Sequence, residues 1–197
     1  TKGKVFLFAD EFTDVNDVEI GIKAVKLLNK LGYKVEIPDH VESGRAYLSK
    51  GFARKAQQLA KANINKLHSV ITEQTPLVGI EPSAILSFRD EYPDLAGNGL
   101  KTKALELGKN CLMFDEFIMR EVQKGNISSS QFTDAKQHIR LHGHCHQKAL
   151  ASTGPTKEMI SLPANYTIDE IKSGCCGMAG SFGYEAEHYE VSMKVGE

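Results

Sequence analysis

Short apolar runs alternate along this chain with longer amphipathic stretches. Val5 to Phe8 is an uninterrupted apolar run, the mark of a strand buried on both faces. Asp14, Asn16 and Asp17 offer capping oxygens to a following helix whose apolar positions are Val18, Ile22, Val25, Leu28 and Leu31. Gly32 suits the C′ position of that helix. Tyr33 to Ile37 reads as a second strand, ended by Pro38. Residues 51–73 read as a helix with Phe52, Ala56, Leu59, Ile64 and Leu67 on one side. Leu77 to Ile80 is a third strand, and Ser83 can cap a short helix reaching Glu91. Leu100 to Leu107 and Phe117 to Val122 read as helical. His138 to His142 reads as a strand, with a further short strand near Tyr166 and a helix after Gly183. Strands separated by helices predict an α/β fold with parallel sheets flanked by helices, in Rossmann-like layers.

Composition narrows the class. At 197 residues and 41% hydrophobic, the chain can build a sizeable core in one domain or two intimately packed halves. Lys and Arg number 24 against 25 Asp and Glu, a formal net charge of −1, and no basic run suggests nucleic acid. No apolar stretch has the length of a transmembrane segment, and residues following Thr1 do not read as a signal peptide. Four cysteines in a chain of this length are not a disulfide scaffold, which makes a reducing, cytoplasmic setting the expectation. The first strand follows Thr1 almost at once, and Glu197 falls within an amphipathic run, so the chain is expected to be a piece of a longer protein.

The chemistry concentrates in residues 174–183, Gly-Cys-Cys-Gly-Met-Ala-Gly-Ser-Phe-Gly. Adjacent cysteines are poor disulfide partners for each other, because neighbouring Cα atoms lie closer than ordinary disulfide geometry allows. Cys175 and Cys176 in a glycine-rich turn that opens a helix would sit where the thiolate is favoured, and thiolates bind metals. Cys145 lies in His142-Gly-His-Cys-His146. Together Cys145, Cys175 and Cys176 suggest an iron–sulfur or zinc site, set against the plainer reading of buried structural thiols. His142, His144 and His146 alternate, which on a continued strand puts all three rings on one face and Cys145 on the other. A turn is therefore needed before they can share a site. His144 and His146, at the expected strand end, are candidates to orient or protonate a group there. His142 reads as a hydrogen-bonded strand-end residue.

Gly174, Gly177, Gly180 and Gly183 recur every third residue, a spacing unlike a dinucleotide fingerprint. Close backbone approach to a cluster or anion accounts better for Gly174, Gly177 and Gly180. Cys111, within an apolar run, reads as a core thiol. Arg45 reads as solvated or ion-paired, and Asp10 and Glu11 as helix-capping residues rather than acid–base groups.

The chain also carries a degenerate internal repeat. Lys4 to Phe12 aligns with His138 to His146, placing Glu11 on Cys145, and Glu42-Ser43-Gly44 then aligns with Cys175-Cys176-Gly177. The separations are 31 residues (11 to 42) and 30 residues (145 to 175). The first half, residues 1–137, has no thiols at these positions, and the second half is residues 138–197. The counterpart of Glu81-Pro82-Ser83-Ala84 falls beyond Glu197.

With these motifs the chain, over residues 1–197, resembles the cysteine-rich CCG domain of the heterodisulfide reductase B subunit and of glycolate oxidase iron–sulfur subunits. Residues 142–150, 174–184 and 187–193 resemble more closely still the C-terminal region of large FAD-linked oxidases that act on D-2-hydroxy acids. The family pattern has Cys-Cys-Gly and Pro-Ser-Cys in the first half, where this chain reads Glu42-Ser43-Gly44 and Pro82-Ser83-Ala84. The resemblance thus implies one lost cluster site, with a further cysteine downstream of Glu197 in relatives. It implies two pseudo-symmetric halves, and an iron–sulfur region that passes electrons from FAD, bound elsewhere in the parent, to a downstream acceptor. The partners implied are the FAD and substrate domains of the same parent and that acceptor. The location implied is cytoplasmic, or peripheral at the inner membrane. A structural zinc or docking module and a redox-active thiol site remain as alternatives.

Overall fold

In a computed structural model, which describes residues 1–174, 176–178 and 182–196, the chain forms an α/β fold of parallel strands flanked by helices. The first stretch runs β1 (Gly3–Phe8), α1 (Glu11–Val15), α2 (Val18–Lys30), β2 (Tyr33–Glu36), α3 (Arg45–Ser49) and α4 (Ala53–Leu67). It continues with β3 (Leu77–Gly79), α5 (Pro82–Leu86), α6 (Glu91–Leu95), α7 (Lys101–Gly108), β4 (Cys111–Met113) and α8 (Phe114–Gln123). Then come β5 (Gln137–Leu141), α9 (Cys145–Leu150), α10 (Gly154–Ile160), β6 (Tyr166–Glu170) and α11 (Tyr189–Gly196).

The four-stranded sheet has the order β2-β1-β3-β4, all parallel, with Val5 opposite Val35, Leu7 opposite Val78 and Val78 opposite Leu112. Both faces are covered, as a parallel sheet with apolar strands requires. On one face Phe6 and Phe8 join Ala60, Ile64 and Leu67 of α4 with Phe88, Tyr92 and Leu107. On the other, Val5 and Val78 pack with Leu28, Leu31, Tyr33, Phe117 and Ile118. Cys111 is a core thiol within β4, fully buried, its Sγ donating to Leu107 O at 3.3 Å. Burial pushes that thiol well above its ordinary range.

The second sheet is the parallel pair β5-β6, with Gln137 opposite Tyr166 and Leu141 opposite Glu170. Its Ile139, Leu141 and Ile168 are half-buried, whereas His138, Arg140, Thr167 and Asp169 face solvent. Among the described residues no helix is long and apolar enough to cross a membrane.

Helix α2 buries Leu28, and Leu31 just after it, as the apolar spacing predicts, but its first half turns a different face inward. Gly21, Ala24 and Leu28 are buried, while Val18 and Ile22 are 44% and 49% exposed. The cause is α1, a short helix that the apolar spacing does not announce. It brings the Thr13 methyl against Gly21, so the small side of α2 turns inward and the branched side turns out. Gly32 ends α2 as expected, at φ +99°. Helix α4 is shorter than predicted, Ala53–Leu67, and leaves Phe52 62% exposed just outside its first turn. The cap of α5 is Glu81, whose carboxylate accepts from Ala84 N and from Ser83 Oγ (2.8 Å). Ser83 thus serves as a donor to the cap, and Pro82 takes the first helical position.

Candidate functional site

In an open parallel sheet, ligands gather beyond the strand carboxyl ends where the order reverses, here between β1 and β3. A cavity of about 560 Å³ lies there. Its walls include Phe12 and Thr13 beyond β1, Ile80 to Ser83 beyond β3, Arg45 of α3, His144 to His146 beyond β5, and Cys176, Met178 and Tyr184. Of the thiols expected to act together, Cys145 and Cys176 reach this one cavity, and both are exposed. Cys175 and Gly180 lie outside the described residues. Among the described residues no group of three His, Cys, Asp or Glu side chains is arranged to hold a metal ion.

The turn needed between the histidines is present, because β5 ends at Leu141 and α9 begins at Cys145. His144 is the N-cap of α9, its Nδ1 accepting from His146 N at 3.2 Å. In the neutral ring that contact leaves the proton on Nε2, which lies 3.4 Å from Glu81 Oε1. Burial first, then the charges of His146 and Arg45, holds the His144 imidazolium below its usual pKa, favouring that neutral tautomer. His146 points its Nε2 toward Glu91 Oε1 at 3.6 Å, and Arg45 Nη1 donates to the same oxygen at 2.6 Å. His146 Nε2 and Glu91 Oε2 are buried without a hydrogen-bond partner among the described residues. His142 leaves the cavity and meets Gly174 O at 3.2 Å, joining the end of β5 to the cysteine turn.

Two expectations about the turn are corrected. Cys176 does not open a helix. Two single 3₁₀ turns, Phe182–Tyr184 and Ala186–His188, intervene before α11 starts at Tyr189. The Lys50–Glu185 ion pair and the Phe12–Tyr184 ring contact tie this stretch to α1 and α3, holding it away from a continuous helix. The helix dipole expected after Gly183 therefore does not begin at the thiols, and the cysteine at a helix start is Cys145. Gly177 has φ +82°, and a Cβ there would lie 2.3 Å from Val195 Cγ1. Gly177 is thus packed closely against α11. Around Gly174 a Cβ would meet nothing within 4 Å.

Residues that carry no local sequence signal hold the site together. Asp115, buried at the start of α8, accepts from Gln147 Nε2 at 3.0 Å and from Thr156 Oγ1. Gln147 is also buried and donates to Ser152 O at 3.0 Å. The pair fixes α9, and with it Cys145, on the four-stranded sheet's end. Their separation of 32 residues is what hides them from a reading of the sequence.

In the first half, Glu11 occupies the place aligned with Cys145. Its carboxylate accepts from Ser43 N at 2.9 Å and Ser43 Oγ at 2.6 Å. Tyr92 OH donates to Ser43 O at 2.8 Å, and Asn63 Nδ2 donates to Glu42 O at 3.0 Å and to the Tyr92 hydroxyl at 2.9 Å. Here a polar network closes the turn that carries the thiols in the other half.

Asp10 caps α1 as expected, accepting from Phe12 N, Thr13 N and Thr13 Oγ1 at 2.9, 3.0 and 2.6 Å. Burial raises its pKa from 3.8 to about 6. The folded state therefore favours the protonated acid. The resulting stabilisation is complete below pH 3.8 and is lost as pH rises through 6, a change of about 3 kcal/mol. Asn caps as well as Asp and does not ionise. Denaturant unfolding of Asp10→Asn should show a change in stability between pH 4 and pH 7 smaller than wild type by about 2 kcal/mol, the part of that change that falls in this range. Parallel pH profiles would refute the assignment.

The chain is 27% identical over 196 residues to D-2-hydroxyglutarate dehydrogenase of Escherichia coli (strain K12), covering 98% of this chain and 18% of that protein. It is 23% identical over 197 residues to the C subunit of the anaerobic glycerol-3-phosphate dehydrogenase of the same strain, covering 99% of this chain and 48% of that protein. It is 28% identical over 192 residues to lactate utilization protein A of Macrococcus caseolyticus (strain JCSC5402), covering 91% of this chain and 72% of that protein. No protein-family model and no solved structure matches the chain. It thus spans less than a fifth of the D-2-hydroxyglutarate dehydrogenases to which it is similar.

Proposed function

We propose that the chain is the cysteine-rich electron-transfer region of a larger FAD-linked oxidoreductase that oxidises a D-2-hydroxy acid. The observation that carries this reading is the convergence of Cys145 and Cys176, from motifs far apart in sequence, on one cavity at the strand carboxyl ends. The names of the similar proteins support it, since they share oxidoreductase chemistry or lactate use while differing in how much of each the chain covers. A region matched in proteins of such different extent suits a step common to them, the passage of electrons away from the substrate-oxidising site.

The donor set fits an iron–sulfur cluster chemically, since the thiols of Cys145 and Cys176 are soft donors and both line one cavity. Cys145, Cys175 and Cys176 would hold it, and when bound it supplies one-electron transfer. His144, neutral and held by its own cap contact and by Glu81, orients the α9 end that presents Cys145. Arg45 and Glu91 set the charge beside His146. FAD and the substrate would belong to other parts of the parent, and a downstream acceptor would receive the electrons. The first half, with Glu11 and Ser43 in place of thiols, would serve as scaffold for a single site. The setting is cytoplasmic, at most peripheral to the inner membrane through that acceptor.

The test is metal and acid-labile sulfide analysis of the full-length parent prepared anaerobically. Iron with stoichiometric sulfide that is lost in Cys176→Ser is the expected result. Zinc without sulfide would replace electron transfer with a structural role, and no metal at all would leave a thiol site.

A further inference from the structure

The β5–β6 pair carries an unused edge. Gln137 N donates to Asn165 O at 3.3 Å and Ile171 N donates to Leu141 O at 2.8 Å, so the odd-numbered residues of β5 turn their backbone groups toward β6. By alternation the N–H and C=O of His138 and Arg140 face the opposite edge. Among the described residues β5 pairs with β6 alone, in a two-stranded sheet. A two-stranded sheet is marginal alone, and an open edge is a template for a further strand.

The internal repeat says which strand fits. β1 uses the corresponding edge: Phe6 N donates to Pro76 O at 2.9 Å, and β3 pairs Phe6, Leu7 and Phe8 with Leu77, Val78 and Gly79. The aligned residues of β5 and the turn after it are Arg140, Leu141 and His142. In the first half the chain leaves β2, passes the 42–44 turn and α4, and returns as β3 beside β1. In the second half it leaves β6, passes the cysteine turn and enters α11, whose Tyr189, Val191, Met193 and Val195 are each about half exposed.

We propose that the open edge of β5 receives a parallel strand from the same parent polypeptide, outside residues 1–197, in the register that β3 takes on β1. A second copy is a poor occupant. Two-fold pairing of β5 with β5 would be antiparallel and, centred on Ile139, would set Arg140 of each copy against His138 of the other rather than against an apolar strand like β3. A strand in the β3 register would end beside His142, three residues before Cys145, as β3 ends at Gly79 opposite Phe8, three residues before Glu11. The proposal rests on the reading of the chain as one region of a longer polypeptide, and not on any metal.

Single-amide hydrogen exchange on the full-length parent tests it. The amides of His138 and Arg140 should be protected to within about tenfold of the Ile139 amide, which faces β6. Exchange roughly 100-fold or more faster than Ile139 would overturn the proposal. So would protection that appears only as protein concentration rises, since that assigns the edge to a second copy. Neither result depends on iron content, so the edge and the cluster can fail separately.

Discussion

In the full-length parent, Cys145→Ser is expected to leave substrate-driven flavin reduction within about twofold of wild type while electron delivery to the acceptor collapses. Cys145 is the first residue of α9, exposed at the cavity and held by the His144 cap and the Gln147–Asp115 anchor. A serine hydroxyl fills nearly the same space and keeps those supports, so the fold should survive. It is not a soft anionic ligand, so metal binding should not. Changes to residues that merely support a ligand cost roughly 10–100-fold at metal sites, and the loss of acceptor reduction here should exceed that range. Stopped-flow measurement of the two half-reactions separates them. Equal loss in both would mean that Cys145 acts through folding, and an unchanged acceptor half-reaction would remove the site from the electron path.

Much of the scaffold was legible because its causes are local. The apolar run at Val5–Phe8, Gly32 after α2 and the buried Cys111 each announce a strand, a stop or a core position within a few residues. The turn that the alternating histidines required before they could share a site with Cys145 exists between Leu141 and Cys145. What the sequence hid depends on partners distant in the chain. The inward face of α2 is chosen by Thr13, the α9 anchor lies 32 residues away at Asp115, and the start of α11 is delayed by contacts to Phe12 and Lys50. The repeat alignment equated Glu11 with Cys145 and Ser43 with the cysteine turn. The carboxylate–hydroxyl pair at 2.6 Å gives that equation a physical content, a cross-link made by hydrogen bonds in one half.

The largest stability effect is expected at Phe88. Its ring stands edge-on to Phe8 with centroids 5.1 Å apart at 87°, and lies 4.4 Å from the Tyr92 ring. All three are essentially inaccessible to solvent. Phe88→Ala leaves a cavity that β1, α5 and α6 cannot close without moving, and should cost about 3–5 kcal/mol by denaturant unfolding. Part of the damage should reach the polar turn, because Tyr92 uses its hydroxyl to hold Ser43 O. Phe52→Ala is the matched control. Hydrophobic spacing put Phe52 in the core face of α4, whereas the fold leaves it 62% exposed, so the same truncation there should stay within about 0.5 kcal/mol of wild type. Comparable losses at the two positions would mean that Phe52 is covered in the protein and that the boundary of α4 lies where its apolar spacing placed it.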